Sequence, residues 1–148
     1  MNKKHFHCPK CALEMERSDF MERWIFICSQ CKGAAVYQKD LSHLLKGIYK
    51  RLKESIDLTQ PLQPVLDRLM PINCPSCQKP MHQHGYMGSK HVIIDICPDC
   101  GVLFLDQYEA AVMALLYADY NESVALMSRV WKAQPDYTQI RAIVSLVW

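Results

Sequence analysis

Eight cysteines fall into four Cys-x-x-Cys pairs, and the chain contains no others: Cys8/Cys11, Cys28/Cys31, Cys74/Cys77 and Cys97/Cys100. Sixteen residues separate the first two pairs and nineteen separate the last two. Both gaps fall in the window that reads as a zinc site. A Cys-x-x-Cys turn aims two thiolates at one point, and two facing turns complete a tetrahedron at roughly 2.3 Å from the metal. The expectation is therefore two zinc ions per chain. One is held by Cys8, Cys11, Cys28 and Cys31, the other by Cys74, Cys77, Cys97 and Cys100. Iron shares the four-thiolate geometry and stays open as an occupant. Four thiolates leave no position for a bound water, which argues against catalytic zinc.

Other uses of the thiols fit less well. A disulfide framework needs an oxidising compartment, yet the chain opens MNKKHFH and reaches Cys8 without an apolar leader segment. Dithiol redox chemistry needs one Cys-x-x-Cys beside a βαβ pattern, not four symmetric pairs. The longest apolar runs fall far short of the roughly 20 residues a membrane span requires. A soluble cytoplasmic protein is expected.

The 148 residues suffice for one ordinary domain or several very small ones. A unit of about 35 residues buries little apolar surface, so metal must supply what the core lacks. Structural zinc in small peptides contributes about 10–16 kcal/mol, and this acts as folding energy. Without metal the two units are expected to be unfolded or nearly so. The formal charge of +2 counts cysteines as neutral; eight thiolates add −8 and two zinc ions +4, so the zinc-loaded chain carries −2. Overall charge does not support a generic grip on nucleic acid.

The chain is an internal duplication. Cys8 maps to Cys74 with a shift of 66, and Cys28 to Cys97 with a shift of 69. Each copy reads as knuckle, polar stretch, apolar strand, knuckle, helix. Trp24 to Cys28 and His91 to Cys97 are β-branched or aromatic runs of strand length. Glu14, Glu16, Arg17, Ser18 and Asp19 mark a polar hairpin in copy one, and Gly85 and Gly88 suit a turn in copy two. The fold class is α+β: two small four-cysteine antiparallel ribbons of three strands, each followed by a helix, with a helical C-terminal region. Leu41, Leu44, Leu45, Ile48 and Leu52 place the first helix at about 40–56. Asp106 and Glu109 form a capping-box variant that opens the second, with Val112, Met113, Leu116, Tyr117 and Tyr120 on one stripe. The expected divisions are a first ribbon plus helix at 1–56, a linker with Pro61, Pro64 and Pro71 at 57–71, a second ribbon at 72–105 and a helical region at 106–148. In that last region, residues 124–131 and a segment after Pro135 read as helical, and the apolar end Val144, Leu146, Val147, Trp148 is expected to pack on the second helix or on another subunit.

In the second copy, C-P-S-C at 74–77, I-D-I-C-P-D-C-G at 94–101 and F-L-D-Q-Y-E at 104–109 together resemble the transcription factor IIB-type zinc ribbon domain of bacteria and archaea. Val102, Phe104 and Tyr108 replace that family's second glycine, tryptophan and third glycine. The resemblance implies Cys74, Cys77, Cys97 and Cys100 as zinc ligands, with Asp106 and Glu109 as the acidic pair after the second knuckle. The first copy is a weaker likeness. It keeps Cys8, Cys11, Cys28, Cys31 and Gly33, but has Ala35 at the tryptophan position, Tyr37 at the aspartate and Asp40 at the glutamate. Copy one, lacking the bulky aromatic and the acidic cap, is expected to hold metal less tightly.

Several residues allow a second reading. Asp106 and Glu109 read first as a helix cap. His82 and His84 alternate on a strand and share a face; they read as surface histidines, with a third metal as the lesser alternative. Lys46, Lys50, Arg51 and Lys53 read as the solvated face of the first helix, with phosphate contacts as the alternative. Phe6, Trp24 and Phe26 can stack bases or pack a core; Phe26 reads as core, and Trp24 is undivided between the two. No Ser/His/Asp set, phosphate loop or His-Glu-x-x-His motif is evident, and no enzyme activity is expected. The function expected is a zinc-binding interaction or scaffold module for a protein partner or a second copy of this chain, with nucleic-acid binding as the alternative.

Overall fold

The computed structural model describes residues 4–53, 70–86 and 92–122. The fold is α+β, and its centre is a single sheet. Copy one contributes β1 (Glu16–Phe20), β2 (Arg23–Ile27) and β3 (Ala34–Tyr37), followed by a short 3-10 turn, Gln38–Asp40, and helix α1 (Leu41–Lys53). Copy two contributes β4 (His82–Gly85), β5 (Ile93–Ile96), β6 (Val102–Leu105) and helix α2 (Gln107–Glu122). Each copy is a three-stranded antiparallel ribbon, and β3 pairs antiparallel with β6, so the six strands run β1-β2-β3-β6-β5-β4.

The register of that junction is symmetric. A shift of 69 carries Ala35 onto Phe104, and these two equivalent residues are directly opposed. Ala34 faces Leu105 and Val36 faces Leu103 on either side. A pseudo-two-fold axis therefore passes between Ala35 and Phe104. Side chains alternate along both strands. Ala34, Val36, Leu103 and Leu105 enter the helix-side core with Leu44, Leu45, Ile48, Leu52 and the apolar residues of α2. Ala35, Tyr37, Val102 and Phe104 point to the opposite face, where the cysteines gather with Phe6, Met15 and Met81.

The junction is a ring set into a gap. A Cβ placed on Gly33 would lie 2.5 Å from Cζ of Phe104 and 3.3 Å from Sγ of Cys31. Phe104, only 2% exposed, thus occupies the space that glycine leaves beside the first copy's knuckle. Backbone bonds add to the union: His7 N–H donates to the Pro75 carbonyl at 2.9 Å and Gln38 N–H to the Gly101 carbonyl at 2.8 Å.

The helices follow their caps. Asp106 accepts from the Glu109 N–H at 2.6 Å, while Glu109 accepts from the Asp106 N–H at 2.9 Å. This reciprocal pair satisfies two of the amide donors that a helix start leaves without partners. The acidic pair is a capping box. Copy one has Tyr37 at the cap position and no side-chain cap, and its chain enters α1 through the 3-10 turn. Lys46, Lys50 and Arg51 lie on the exposed face of α1, opposite Leu44, Leu45, Ile48 and Leu52.

Two local expectations are corrected. The turn of the first hairpin is not in the polar run Glu14–Asp19. Glu16 to Asp19 belong to β1, and the turn falls at Met21 and Glu22, both with positive φ. Tertiary contact holds this non-glycine turn. His43 Nε2–H donates to the Met21 carbonyl at 2.7 Å, and the Met21 side chain lies where a Cβ on Gly47 would be. Helix α2 also carries no single stripe, because every residue from Ala110 to Leu116 is buried. Residues that are apolar on every side suit a helix enclosed on every side. Pro61, Pro64, Gly88, His91 and residues 123–148 lie outside the described residues. No helix of the described residues is long and apolar enough to cross a membrane.

Adding a methyl at Gly33 should therefore destabilise the zinc-loaded protein by about 1–3 kcal/mol through overpacking against Phe104. Gly33→Ala, Phe104→Ala and the double variant form a cycle that urea unfolding can read at fixed free zinc. The combined loss should fall at least about 1 kcal/mol short of the sum of the single losses. Strict additivity would show that the ring and the gap do not meet.

Candidate metal centres

Each metal centre is built from two copies of one backbone device. In the first knuckle, Cys8 N–H donates to the Leu13 carbonyl and Ala12 N–H to the Cys8 carbonyl, both at 2.8 Å. The same two bonds recur from Cys28 to Gly33, from Cys74 to Lys79 and from Cys97 to Val102. The residue after each second cysteine takes positive φ: Ala12 59°, Lys32 60°, Gln78 63° and Gly101 64°. This left-handed step closes the turn and leaves amides directed at sulfur. Cys11 N–H lies 3.4 Å from Cys8 Sγ, Gly33 N–H 3.4 Å from Cys31 Sγ, Ser76 N–H 3.4 Å from Cys74 Sγ and Cys100 N–H 3.4 Å from Cys97 Sγ. Amide donors stabilise thiolate over thiol.

The knuckles converge in pairs. Cys8, Cys11, Cys28 and Cys31 form one group and Cys74, Cys77, Cys97 and Cys100 the other, with all four sulfurs of a group within 4.8 Å of one another. Cys8 Sγ lies 3.6 Å from Cys31 Sγ, and Cys77 Sγ 3.6 Å from Cys97 Sγ. A zinc–sulfur bond of roughly 2.3 Å places tetrahedral ligands about 3.8 Å apart, so these separations suit the ion. All eight cysteines are free thiols rather than disulfides. The structure therefore gathers every cysteine that the spacing singled out, in the same two sets of four.

The thiols of one group cannot all ionise without a cation. Burial pushes Cys8 up to about 12, against the pull of the Cys11 and Lys10 amides, and Cys74 rises to about 12 for the same reason. Burial and neighbouring thiols also raise Cys11 and Cys100. Cys28, despite its own burial, is brought down to about 7 by the Cys31 and Gln30 amides. Cys77 falls to about 7, chiefly through the Lys79 amide. Each metal-free group thus concentrates its negative charge on few sulfurs and keeps protons on others.

Residues 7–47 match the transcription factor zinc-finger family. The first ribbon is thus similar to transcription factor IIB-type zinc ribbons. That family match falls on copy one alone, although copy two is the clearer likeness by motif. The second four-cysteine group, on the same strand order, points to a second ribbon beside it. No curated protein and no solved structure matches the chain.

Phe104 of copy two reaches the knuckles of copy one. Copy one has Ala35 where copy two has the aromatic, yet the Phe104 ring crosses the axis to Gly33, and Lys10 Nζ lies 5.7 Å from its centroid. The bulky aromatic of copy two thus packs against the first knuckles. Sequence reasoning missed this because the partner strand was unknown; the pairing of a glycine with a large residue at repeat-related positions was the available signal.

Two outcomes follow for metal binding. Purified protein should contain two equivalents of zinc, and either Cys11→Ser or Cys77→Ser should leave one that chelator removes roughly tenfold faster or more, since each site braces the other's strand. Release at the wild-type rate would show independent ribbons. Zinc uptake at about pH 7.5 should also release at least about two protons per ion. These come from Cys8 and Cys11 in one group and from Cys74 and Cys100 in the other, all raised above their ordinary value. Affinity should accordingly fall as pH falls. An indicator dye in weak buffer measures the release; fewer than one proton per ion would contradict this ionisation pattern.

Proposed function

We propose that this chain is a non-catalytic, zinc-stapled interaction module that binds a protein partner through its first hairpin. The observation that carries the reading is Trp24, which is 51% exposed on β2 with the Arg17 guanidinium 3.9 Å from the centre of its ring. Tryptophan and arginine dominate the residues that contribute most at protein interfaces. A solvated indole on a sheet of this size is otherwise unfavourable. The non-catalytic part rests on the closed four-thiolate sets, which leave no coordination position for a substrate.

An exposed indole with an arginine over it can also stack on a nucleic-acid base. The charge around Trp24 favours protein. The hairpin carries Glu16, Asp19 and Glu22 against Arg17 and Arg23, and Arg23 Nε is already bonded to Asp40 at 3.2 Å. Nucleic-acid affinity depends on neutralising phosphates, and a hairpin of mixed charge with an acidic excess does not offer this. The exposed Lys46, Lys50 and Arg51 supply positive charge on α1, but Arg51 lies over the Phe20 ring at 4.7 Å from its centroid.

Trp24→Ala should keep both zinc ions and the wild-type circular dichroism. It should lose a protein that immobilised wild type retains from native lysate. In parallel, short single-stranded DNA and RNA titrated at low salt should show no binding that depends on Trp24. Binding with a steep salt slope that weakens in Trp24→Ala would replace the protein partner with nucleic acid.

A further inference from the structure

We infer that His82 and His84 form a third, exchangeable site for a divalent transition-metal ion, separate from the two cysteine centres. Both residues lie on β4 with one residue between them, so their side chains leave the same face of the strand. They sit opposite Ile96 and Ile94 in the pairing with β5. Both are exposed, and their ring centroids are 6.5 Å apart. Two imidazoles on alternate positions of one strand need only side-chain rotation to bring a nitrogen of each to roughly 2.0–2.1 Å from one ion, with water completing the shell.

His5 and His43 give the contrast. His5 Nδ1 is held by Glu14 Oε1 at 2.6 Å, and His43 Nε2 is engaged by the Met21 carbonyl. His82 and His84 have no hydrogen-bond or ion-pair partner among the described residues, and their ring contact is with each other. The duplication supplies a second comparison. In copy one, Glu16 and Ser18 face Ile27 and Ile25 as His82 and His84 face Ile96 and Ile94. The same scaffold thus places two imidazoles in one copy and none in the other.

The ligand class follows from the donors. Neutral imidazole suits zinc, nickel and copper, whereas the thiolate groups also take soft ions such as copper(I). Two protein ligands on an open strand give an ion that exchanges with solvent, unlike the enclosed four-thiolate centres. The site does not depend on the partner proposed for Trp24, which lies in the other ribbon.

Nickel(II) titrated calorimetrically into protein already loaded with two zinc ions tests the inference. One nickel per chain should bind with zinc retained. His82→Gln and His84→Gln should each weaken that binding at least tenfold with zinc content and circular dichroism unchanged, while His7→Gln should leave it intact. Nickel binding unchanged in both strand variants, binding lost in His7→Gln, or nickel taken up only as zinc is released would each overturn the site.

Discussion

Four sulfurs drawn within 4.8 Å of one another repel as they ionise, and a divalent cation is what makes their convergence favourable. Each ribbon is too small to close around an apolar core of its own. The knuckle backbone nevertheless has a defined shape, repeated four times with the same two hydrogen bonds and the same left-handed residue after the second cysteine. Three of those four residues are not glycine. The left-handed conformation costs such a residue roughly 1–2 kcal/mol. Metal–thiolate bonding is the term large enough to offset three such residues and the loss of chain entropy together.

With the knuckles set, the remaining stability comes from joining the copies. The β3–β6 pairing turns two marginal three-stranded ribbons into one six-stranded sheet that is buried on both faces at its centre. On one face α1 and α2 complete a core that neither copy could assemble alone. On the other, the cysteine groups share an apolar cluster with Phe6, Val102 and Phe104. The two metal centres thus belong to one folding unit.

Much of this was legible in the residues. The cysteine spacing marked both centres, the β-branched runs marked β2 and β5, the leucine stripe marked α1, and Asp106 with Glu109 marked the start of α2. The junction was not legible. Ala34–Tyr37 and Val102–Leu105 are short, and β6 is buried on both faces. Such strands show no alternation for a pattern to detect. The hairpin turn at Met21 and Glu22 lacked the usual glycine or asparagine, because packing on Gly47 of a distant helix holds it. The enclosure of α2 is not legible because residues that are apolar all round show no stripe. In each case the deciding contact comes from the other copy or from a remote element, and local propensity does not encode it.

The position of Ala35 opposite Phe104 bears on how such a molecule can arise. In a symmetric pair of identical chains, the residue at the axis always faces its own copy. Two phenylalanines would collide there and two alanines would leave a void. A ring fitted against a glycine-lined gap is available only when the two halves carry different residues. Covalent linkage of the copies removes the constraint of identity, so the halves can differentiate at the axis. One half can then grow an aromatic plug while the other recedes to receive it. The same asymmetry disfavours pairing of either half with its own kind. Copies of this chain crowded together would thereby be steered away from exchanging ribbons.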